Sequence, residues 1–183
     1  MHTATLVSIT PDAEELIAYC ARVSNPANQN NTQTASRLLK YLIKHRHWSP
    51  FEMANMVVEI KTNRAIAAQI LRHRSFSFQE FSQRYAEVQS IPTPPYLRRQ
   101  DTKKSQDVYQ RMLKQGIAKE CAREVLPIGS DTTLYMNGTI RSWLHYIDLR
   151  ASPETQLEHR RIAEGCKMLI NDTMPDVYEA MWK

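Results

Sequence analysis

The chain concentrates cations and hydroxyl groups in one short stretch, "RHRSFSFQEFSQRY" at residues 72–85, which we call the basic segment. It holds three arginines, one histidine, three serines and a single carboxylate among four aromatic rings. Guanidinium groups bind phosphate with paired hydrogen bonds, hydroxyl groups add donors, and a lone carboxylate can accept from a ribose hydroxyl. These residue types predict a nucleotide site.

Two further roles for the basic segment compete with that hypothesis. Arg72, His73 and Arg74 could cap a helix, because cations are favourable beside the unpaired carbonyl groups at a helix C-terminus. The aromatic rings could stack the bases of a single nucleic-acid strand. Phe76 and Phe78 alternate with polar residues, however, so one face can pack inward while the other meets a ligand. We therefore favour a discrete nucleotide pocket over a strand-binding groove.

Length and charge limit the possible partners only broadly. The chain has 183 residues, of which 42% are apolar, so we expect a single domain over residues 1–183 with its own core. The net charge of +5 favours an anionic partner, but nucleic acid, a phosphorylated small molecule and a membrane surface would each satisfy it.

The cysteines and the apolar runs indicate a cellular compartment. Cys20, Cys121 and Cys166 are widely spaced and form no Cys-x-x-Cys pattern, so we expect buried thiols in a reducing environment. The N-terminal "MHTATLVSIT" lacks the pattern of a signal peptide, and no stretch has the apolar length needed to span a bilayer. We expect a soluble, cytoplasmic protein that does not bind membranes.

In the N-terminal half, the pattern predicts alternating strands and helices. "ATLVSIT" at residues 4–10 predicts a strand, with Thr10 and Pro11 as the N-cap and first residue of a helix. Residues 34–45 predict a second helix, "ANMVVEIK" a half-buried strand, and "NRAIAAQILRHR" a third helix. The expected buried stripes are Leu16, Cys20 and Val23, then Leu38, Leu39, Leu42 and Ile43, and on the strand Met56, Val58 and Ile60.

In the C-terminal half, the pattern is mainly helical. Residues 86–106 predict an exposed loop because Pro92, Pro94 and Pro95 interrupt regular structure. Helices are expected at about residues 108–123 and 132–149, and a last one from Ser152-Pro153-Glu154. The core candidates are Trp143, Leu144 and Ile147 on one helix and Ile162, Cys166 and Leu169 on the next. The prediction is a mixed α and β domain with more helix than strand.

The spacing within the basic segment also resembles a known signature. Arg-His-Arg, two residues, Ser, four residues, Ser, one residue and Arg is the pattern of the flavin-dependent thymidylate synthases. The similarity extends to "CARVSNP", "HWSPFE", "REVLP" and "RSWLHYIDLRASPETQLE", in the expected order over most of the chain. The fixed positions are filled by Arg72, His73, Arg74, Ser77, Ser82 and Arg84.

This resemblance implies a fold and an activity. The expected fold is α+β, one domain with a mostly antiparallel sheet flanked by long helices, assembled as a homotetramer whose active sites are shared between subunits. The expected reaction is the reductive methylation of dUMP to dTMP. 5,10-Methylenetetrahydrofolate provides the carbon, FAD reduced by NADPH provides the hydride, and no protein nucleophile is needed. A dUMP hydroxymethylase on the same fold and a non-enzymatic single-stranded nucleic-acid-binding protein are the alternatives.

The resemblance also implies a role for individual residues. Arg150 would be catalytic, because a cation beside the uracil ring stabilises the negative charge that develops on it. Ser82 would bind phosphate through its hydroxyl rather than attack. The expected dUMP contacts are Gln69, Arg72, Glu80, Ser82, Arg84, Arg123 and Arg150. The expected FAD contacts are Arg72, His73, Arg74, Glu80, Thr139, Arg141 and His145.

Three positions depart from the family's usual residues. Met53 stands where histidine is frequent, and Thr139 and His145 stand where asparagine is usual. All three departures concern flavin contacts and leave the substrate side unchanged. His45 and His47 have no acidic or cysteine partner nearby in the sequence, so we expect surface histidines and no metal.

Overall fold

The computed structural model describes residues 2–89, 91–94 and 97–183, and Pro95 of the predicted loop therefore lies outside the described residues. The strands are β1 (Thr3–Ile9), β2 (Asn55–Asn63), β3 (Ser77–Glu80) and β4 (Asp131–Thr139). The helices are α1 (Ala13–Ala21), α2 (Ala35–Lys44), α3 (Arg64–Ile70), α4 (Arg99–Lys114), α5 (Lys119–Ala122), α6 (Ile140–Arg150), α7 (Leu157–Thr173) and α8 (Pro175–Trp182).

The described strands form one antiparallel sheet in the order β1-β2-β4-β3. The two central strands pair over nine residues, with Val58 opposite Met136 and Ile60 opposite Leu134. Because side chains alternate between the faces of a strand, these four residues all point to one face, where they are fully buried. The predicted α+β class with an antiparallel sheet is confirmed.

The main core lies between this sheet face and helices α6 and α7. Trp143 of α6 is fully buried, and its indole Nε1 donates to the Met56 carbonyl oxygen at 2.9 Å, which fixes α6 across β2. The predicted core positions Leu144, Ile147, Ile162 and Cys166 are fully buried, and Leu169 packs partly buried against them. On α2, Leu39, Leu42 and Ile43 are buried as predicted, and Leu38 packs beside them partly buried.

The prediction of one helix over residues 132–149 is wrong. Residues 131–139 form the central strand β4, and only Ile140–Arg150 is helical. Thr132, Leu134, Met136 and Gly138 are buried while their neighbours are more exposed, which is the two-residue period of a strand. The apolar positions of α6 follow directly after this strand. The prediction extended their helical period back over the strand and so missed the change from a period of two residues to one of about 3.6.

Helix starts in two places differ from the prediction. α1 begins at Ala13 after Asp12, whose φ of 48° is left-handed, and Thr10 bonds to Asn55 of β2 instead of capping the helix. The buried face of α1 carries Ala13, Ile17 and Ala18, whereas Leu16 and Cys20 are half-buried and Val23 is 69% exposed. Ser152-Pro153-Glu154 forms a turn, and α7 starts only at Leu157.

The region after the basic segment is more ordered than predicted. Helix α4 already begins at Arg99, inside the expected loop, and ends at Lys114, while the short α5 covers Lys119–Ala122. Val88 and Ile91 are buried in a second, smaller apolar cluster around Tyr109, whose hydroxyl accepts from the Val88 N–H at 3.2 Å. The loop is therefore anchored to α4, because burying its apolar residues offsets the entropy of ordering it.

The thiols and the helices bear on two further expectations. Cys166 is buried as predicted, but Cys20 is only half-buried and Cys121 is exposed, so the expectation of three buried thiols is wrong.

Among the described helices, none combines the length and the apolar character that crossing a bilayer requires.

The basic segment is anchored to the sheet by Phe76. Its ring lies directly over Gly138 of β4, at a place where a side-chain carbon on Gly138 would come within 2.6 Å of the ring. The same ring packs edge-on against Trp143, with centroids 4.9 Å apart. Glycine at position 138 thus makes room for the residue that holds the basic segment in place.

We expect Gly138→Ala to lower the free energy of unfolding by about 1–3 kcal/mol, because the added methyl group must displace Phe76. The melting temperature would fall by roughly 2–12 °C, since each kcal/mol lowers it by about 2–4 °C in a chain of this length, measured by circular dichroism. Gly129→Ala is the matched control, since a methyl group there meets nothing within 4 Å and should change the melting temperature little. Equal melting temperatures for the two variants would contradict this packing constraint.

Candidate active site

The basic segment runs from the end of α3 into the edge strand β3. Asn63 caps the start of α3 by accepting from the Ile66 N–H at 2.9 Å, and the helix ends at Ile70 in a turn that the His73 N–H closes onto the Ile70 carbonyl oxygen at 3.0 Å. Arg72 and Arg74 project from this turn as exposed side chains, and no described residue forms an ion pair with either. The turn therefore offers two cations to a ligand.

His73 contacts Arg150, the last residue of α6. Arg150 Nε donates to His73 Nε2 at 3.0 Å, so that nitrogen carries a lone pair and the ring proton is on Nδ1. Burial and then the nearby Arg150 cation lower the pKa of His73, which keeps the ring neutral at physiological pH. The two residues lie 77 positions apart in the sequence and belong to two different expected contact sets, and the structure brings them together.

Glu80 is the last residue of β3, and two neighbouring side chains hold its carboxylate in place. Its Oε1 accepts from Thr132 Oγ1 at 2.9 Å and from Arg64 Nη1 at 3.4 Å. Neither partner is singled out by the sequence prediction: Thr132 falls in an expected helix, and Arg64 lies eight residues before the signature. The carboxylate is half-buried and oriented before any ligand arrives.

Glu120 of α5 links the two arginines expected on the phosphate side. Its carboxylate accepts from Arg84 Nε at 2.9 Å, and its backbone carbonyl oxygen accepts from Arg123 Nε at 3.2 Å. The Arg84 guanidinium also lies over the Tyr85 ring, 5.4 Å from its centroid. Ser82 Oγ accepts from the Arg84 N–H at 3.4 Å. Ser82, Arg84 and Arg123 thus form one cationic group with a hydroxyl.

A cavity of about 320 Å³ adjoins this group. Gln83 lines it with only 4% of its surface exposed, and its side-chain Nε2 has no hydrogen-bond partner among the described residues. A buried amide donor without an acceptor is costly, so the site favours an oxygen-rich ligand that can accept from it. Arg64 and Arg123 line the same cavity together with one acid, Glu124, so its charged side chains leave a net positive charge that favours an anion.

Three of the residues expected on the flavin side lie at the start of α6 or along it, beside the 3-10 turn Ser49–Glu52, and the others belong to the basic segment. Thr139 caps α6 by accepting from the Ser142 N–H at 3.2 Å, Arg141 Nη1 pairs with Glu52, and His145 packs edge-on against Trp48 with ring centroids 4.9 Å apart. Met53 follows this turn and is 51% exposed. Arg141 and His145 of α6 thus both contact the Trp48–Glu52 region, whereas Thr139, the last residue of β4, bonds the first turn of α6.

Two further cavities lie elsewhere, around Arg22 of the "CARVSNP" stretch. They measure about 350 and 470 Å³ and contain none of the predicted site residues. The Arg22 guanidinium is buried and donates to the Asn31 carbonyl oxygen and, at 2.9 Å, to Thr34 Oγ1. These bonds anchor the loop of residues 24–31, which is rich in asparagine. The "CARVSNP" stretch therefore has a structural role.

A buried polar chain that the sequence prediction missed lies beneath His73. His159 of α7 is fully buried, with Nε2 3.1 Å from the Tyr146 hydroxyl and Nδ1 3.2 Å from Gln69 Oε1. Gln69 Nε2 in turn donates to Gln156 Oε1 at 2.8 Å. The signal was present: His159 falls on the apolar stripe of α7, three and seven residues before Ile162 and Cys166, where a histidine requires polar partners.

Burial controls the protonation of this chain. It lowers the pKa of His159 from 6.5 to about 4, helped by the nearby Arg150 cation, and it raises the pKa of Tyr146 well above its usual value. Both groups are neutral at physiological pH. The exposed His45 and His47 stand apart from this chain, and in the described parts of the chain no three histidine, cysteine or acidic side chains cluster as metal ligands would.

Comparison with known proteins places these residues in a family context. Residues 5–176 match the family model described as thymidylate synthase complementing protein. A protein of Paramecium bursaria Chlorella virus 1 named probable flavin-dependent thymidylate synthase is 49% identical, with 98% of each chain covered. A flavin-dependent thymidylate synthase of Synechocystis is 44% identical over 92% of this chain and 89% of that protein.

A solved structure agrees with these sequence matches. The UMP/dUMP methylase PolB from Streptomyces cacaoi, bound with 5-Br dUMP, superposes with a TM-score of 0.84 at 27% identity, covering 98% of this chain and 94% of that one.

The pKa of His159 predicts a pH-dependent stability. The folded state holds this ring neutral down to about pH 4 while the unfolded chain binds a proton below 6.5, so the stabilisation is complete above 6.5 and is lost as the pH falls towards 4. The loss would reach about 3 kcal/mol, measured by urea denaturation across this range. His159→Gln should flatten the profile, whereas His45→Gln, at an exposed position, should leave it unchanged. Identical stability profiles for all three proteins would contradict the lowered pKa of His159.

Proposed function

The chain belongs to the flavin-dependent thymidylate synthase family, and from that premise we propose that it methylates dUMP to dTMP at the site formed around His73 and Arg150. FAD reduced by NADPH is the hydride source in this proposal, and 5,10-methylenetetrahydrofolate is the carbon donor. The observation that carries the proposal is the 3.0 Å contact between Arg150 and His73. It joins the residue expected against the pyrimidine to a residue expected against the flavin.

Arg150 acts on the pyrimidine in this proposal. The alternative role of capping the C-terminus of α6 is not supported by its contacts, because the guanidinium Nε donates to His73 and the Ala151 backbone N–H bonds the Ile147 carbonyl oxygen. The neutral imidazole fixes the cation without neutralising it. A fixed cation beside the uracil carbonyl groups stabilises negative charge on the ring and so makes C5 more nucleophilic.

The phosphate of dUMP belongs with Ser82, Arg84 and Arg123. Their donors, the cations beside the 320 Å³ cavity and the Gln83 amide, which has no partner among the described residues, all suit an anionic, oxygen-rich group. Arg84 now shares an exposed ion pair with Glu120, in which its side chain is 57% exposed. Exposed pairs are weak, so exchanging Glu120 for a phosphate costs little. Glu80, Gln69 and Arg72 complete the proposed substrate contacts.

The residues around α6 fit a flavin nucleotide. Arg72, Arg74 and Arg141 present cations that suit its pyrophosphate, and Thr139, His145 and Glu80 add hydrogen-bonding groups. When bound, the flavin supplies the redox step, and the protein binds, orients and polarises. The half-exposed Met53 and the His145–Trp48 contact give this surface a more apolar edge than the residues usual in the family.

No cysteine of the chain fits the role of a nucleophile. Burial raises the pKa of the Cys166 thiol to about 12, so its reactive thiolate is absent at physiological pH. The other two cysteines lie on α1 and α5, outside the signature. This chemistry agrees with a reaction that polarises the pyrimidine instead of attacking it.

The proposal includes a homotetramer in which neighbouring subunits share each active site. Within one chain, strand β3 separates the His73–Arg150 group from Ser82 and Arg84, and an extended strand of four residues alone spans about 10 Å. A neighbouring copy can bring its Ser82 and Arg84 to the Arg150 of this one.

A strand-binding role is less favoured by the positions of the aromatic rings. Phe76 is buried, and Phe78 packs partly buried against the core. Neither ring is therefore free to stack bases.

The purified protein should bind FAD and form dTMP from dUMP, 5,10-methylenetetrahydrofolate and NADPH, followed by product chromatography. A flavin-loaded protein that forms no dTMP would sink the proposal. Accumulation of 5-hydroxymethyl-dUMP in its place would support the hydroxymethylase alternative. Salt-sensitive oligonucleotide binding by a colourless protein would support a nucleic-acid-binding one.

Arg150→Ala should lower kcat by roughly 10²- to 10³-fold while changing dUMP affinity much less, because the cation acts mainly in the transition state. Arg84→Ala should raise the dissociation constant of dUMP roughly tenfold with a smaller effect on kcat. Steady-state kinetics and calorimetric titration separate the two effects. Arg37→Ala, at an exposed arginine of α2, is the control. Loss of affinity alone in both active-site variants would refute the role of Arg150.

A further inference from the structure

Gln69 has an amide group whose two ends differ in chemistry, and the structure fixes which end faces outward. Its carbonyl oxygen points to buried His159 and its nitrogen to exposed Gln156. One hydrogen on that nitrogen is used by Gln156, and the second remains available. The Arg72 N–H bonds the Gln69 carbonyl oxygen at 3.3 Å, so the two residues are neighbours in the turn that ends α3.

The direction of the hydrogen bonds follows from counting hydrogens. The Tyr146 hydroxyl is buried, and His159 Nε2 is its one hydrogen-bond partner among the described residues. If Nε2 carried a hydrogen, the tyrosine hydrogen would have no acceptor, which is costly in the core. The hydroxyl therefore donates to Nε2, and the neutral ring carries its hydrogen on Nδ1.

This tautomer sets the orientation of Gln69. A hydrogen on His159 Nδ1 requires an acceptor, and Gln69 Oε1 at 3.2 Å is that acceptor. Turning the carboxamide over would put its NH₂ group against the Nδ1–H, so two donors would meet. His159 is fully buried and cannot turn to water to relieve this conflict.

We propose that His159 is a positioning residue that, through the Tyr146 hydroxyl, holds Gln69 so that its N–H, and not its carbonyl, faces the substrate nucleotide. The inference rests on the proposed function, in which Gln69 contacts dUMP. An N–H donor serves an acceptor oxygen of the ligand, either a carbonyl oxygen of the pyrimidine or an oxygen of the phosphate.

The test is a double-mutant cycle read as dUMP affinity. Calorimetric titration of the flavin-loaded protein with dUMP would compare wild type, His159→Phe, Gln69→Ala and the double variant. We expect His159→Phe to weaken binding roughly three- to tenfold, because the carboxamide is then free to turn over. The double variant should bind no more weakly than Gln69→Ala. An undiminished effect of His159→Phe in the Gln69→Ala background would overturn the proposal, as would unchanged affinity in the single variant.

Two substitutions at position 159 separate positioning from packing. The side-chain amide of asparagine can occupy the place of Nδ1 and donate to Gln69, whereas that of glutamine reaches only the place of Nε2. His159→Asn should therefore retain more dUMP affinity than His159→Gln. The reverse order would contradict the proposal.

Tyr146→Phe provides a variant that removes a single oxygen atom, should His159→Phe fail to fold. Without the hydroxyl, His159 can adopt either tautomer, so dUMP binding should weaken roughly twofold to threefold and only when Gln69 is present. An effect of the same size with Gln69→Ala would show that the hydroxyl acts by another route and would overturn the proposal.

Deoxyuridine, which lacks the phosphate, identifies the oxygen that Gln69 serves. Equal weakening of deoxyuridine and dUMP by His159→Phe assigns a pyrimidine carbonyl, and weakening of dUMP alone assigns the phosphate. If the wild-type protein binds no dUMP, the proposed function itself is refuted. That result is distinct from a wild type that binds dUMP and a variant that binds it equally well.

Discussion

The close packing of Phe76 on Gly138 is the constraint on which the rest of the site depends. It inserts one residue of a polar segment into the core, where the ring also packs against Trp143, 4.9 Å away, and Tyr146, 5.9 Å away. The residues on either side of Phe76, Ser75 and Ser77, are exposed. His73 lies three residues before this anchor and is thereby brought to the end of α6, where Arg150 meets it.

The charged residues of the site are oriented by weak pairs that a ligand can replace. Arg141 pairs with Glu52, Arg84 with Glu120 and Arg64 with Glu80. In each pair at least one side chain is more than a third exposed. Exposed pairs contribute little stability, so they order the arginines at small cost to ligand binding. The buried chain from Tyr146 to Gln69 is different, because its buried groups, the Tyr146 hydroxyl and the His159 ring, would be costly to leave unpaired. Its geometry is therefore rigid where the arginines remain adaptable.

Much of the architecture follows from local patterns. The alternation in β2 and the apolar stripes of α2, α6 and α7 identified core residues that are buried as expected. The errors came where two elements join without a break. β4 runs directly into α6 at Thr139 and Ile140, and the Asn137-Gly138 pair just before this junction, ordinarily a turn signal, lies within the strand. Asp12 adopts a left-handed conformation that delays α1, and the turn after Ser152 does the same for α7.

The sequence by itself determined the composition of the site: the arginines, the serines and His73 in their signature spacing, and the absence of an activated cysteine within it. Residue type and spacing are local properties, so they could be interpreted without the fold. Only the tertiary structure decided which groups meet. The Arg150–His73 bond, the hold of Thr132 and Arg64 on Glu80, and the contact of His159 with Gln69 join residues 16 to 90 positions apart. The contacts of Arg150 and His159 depend on how α6 and α7 cross the sheet, and those of Glu80 depend on the pairing of β3 with β4, so all of them follow from the packing of the whole core.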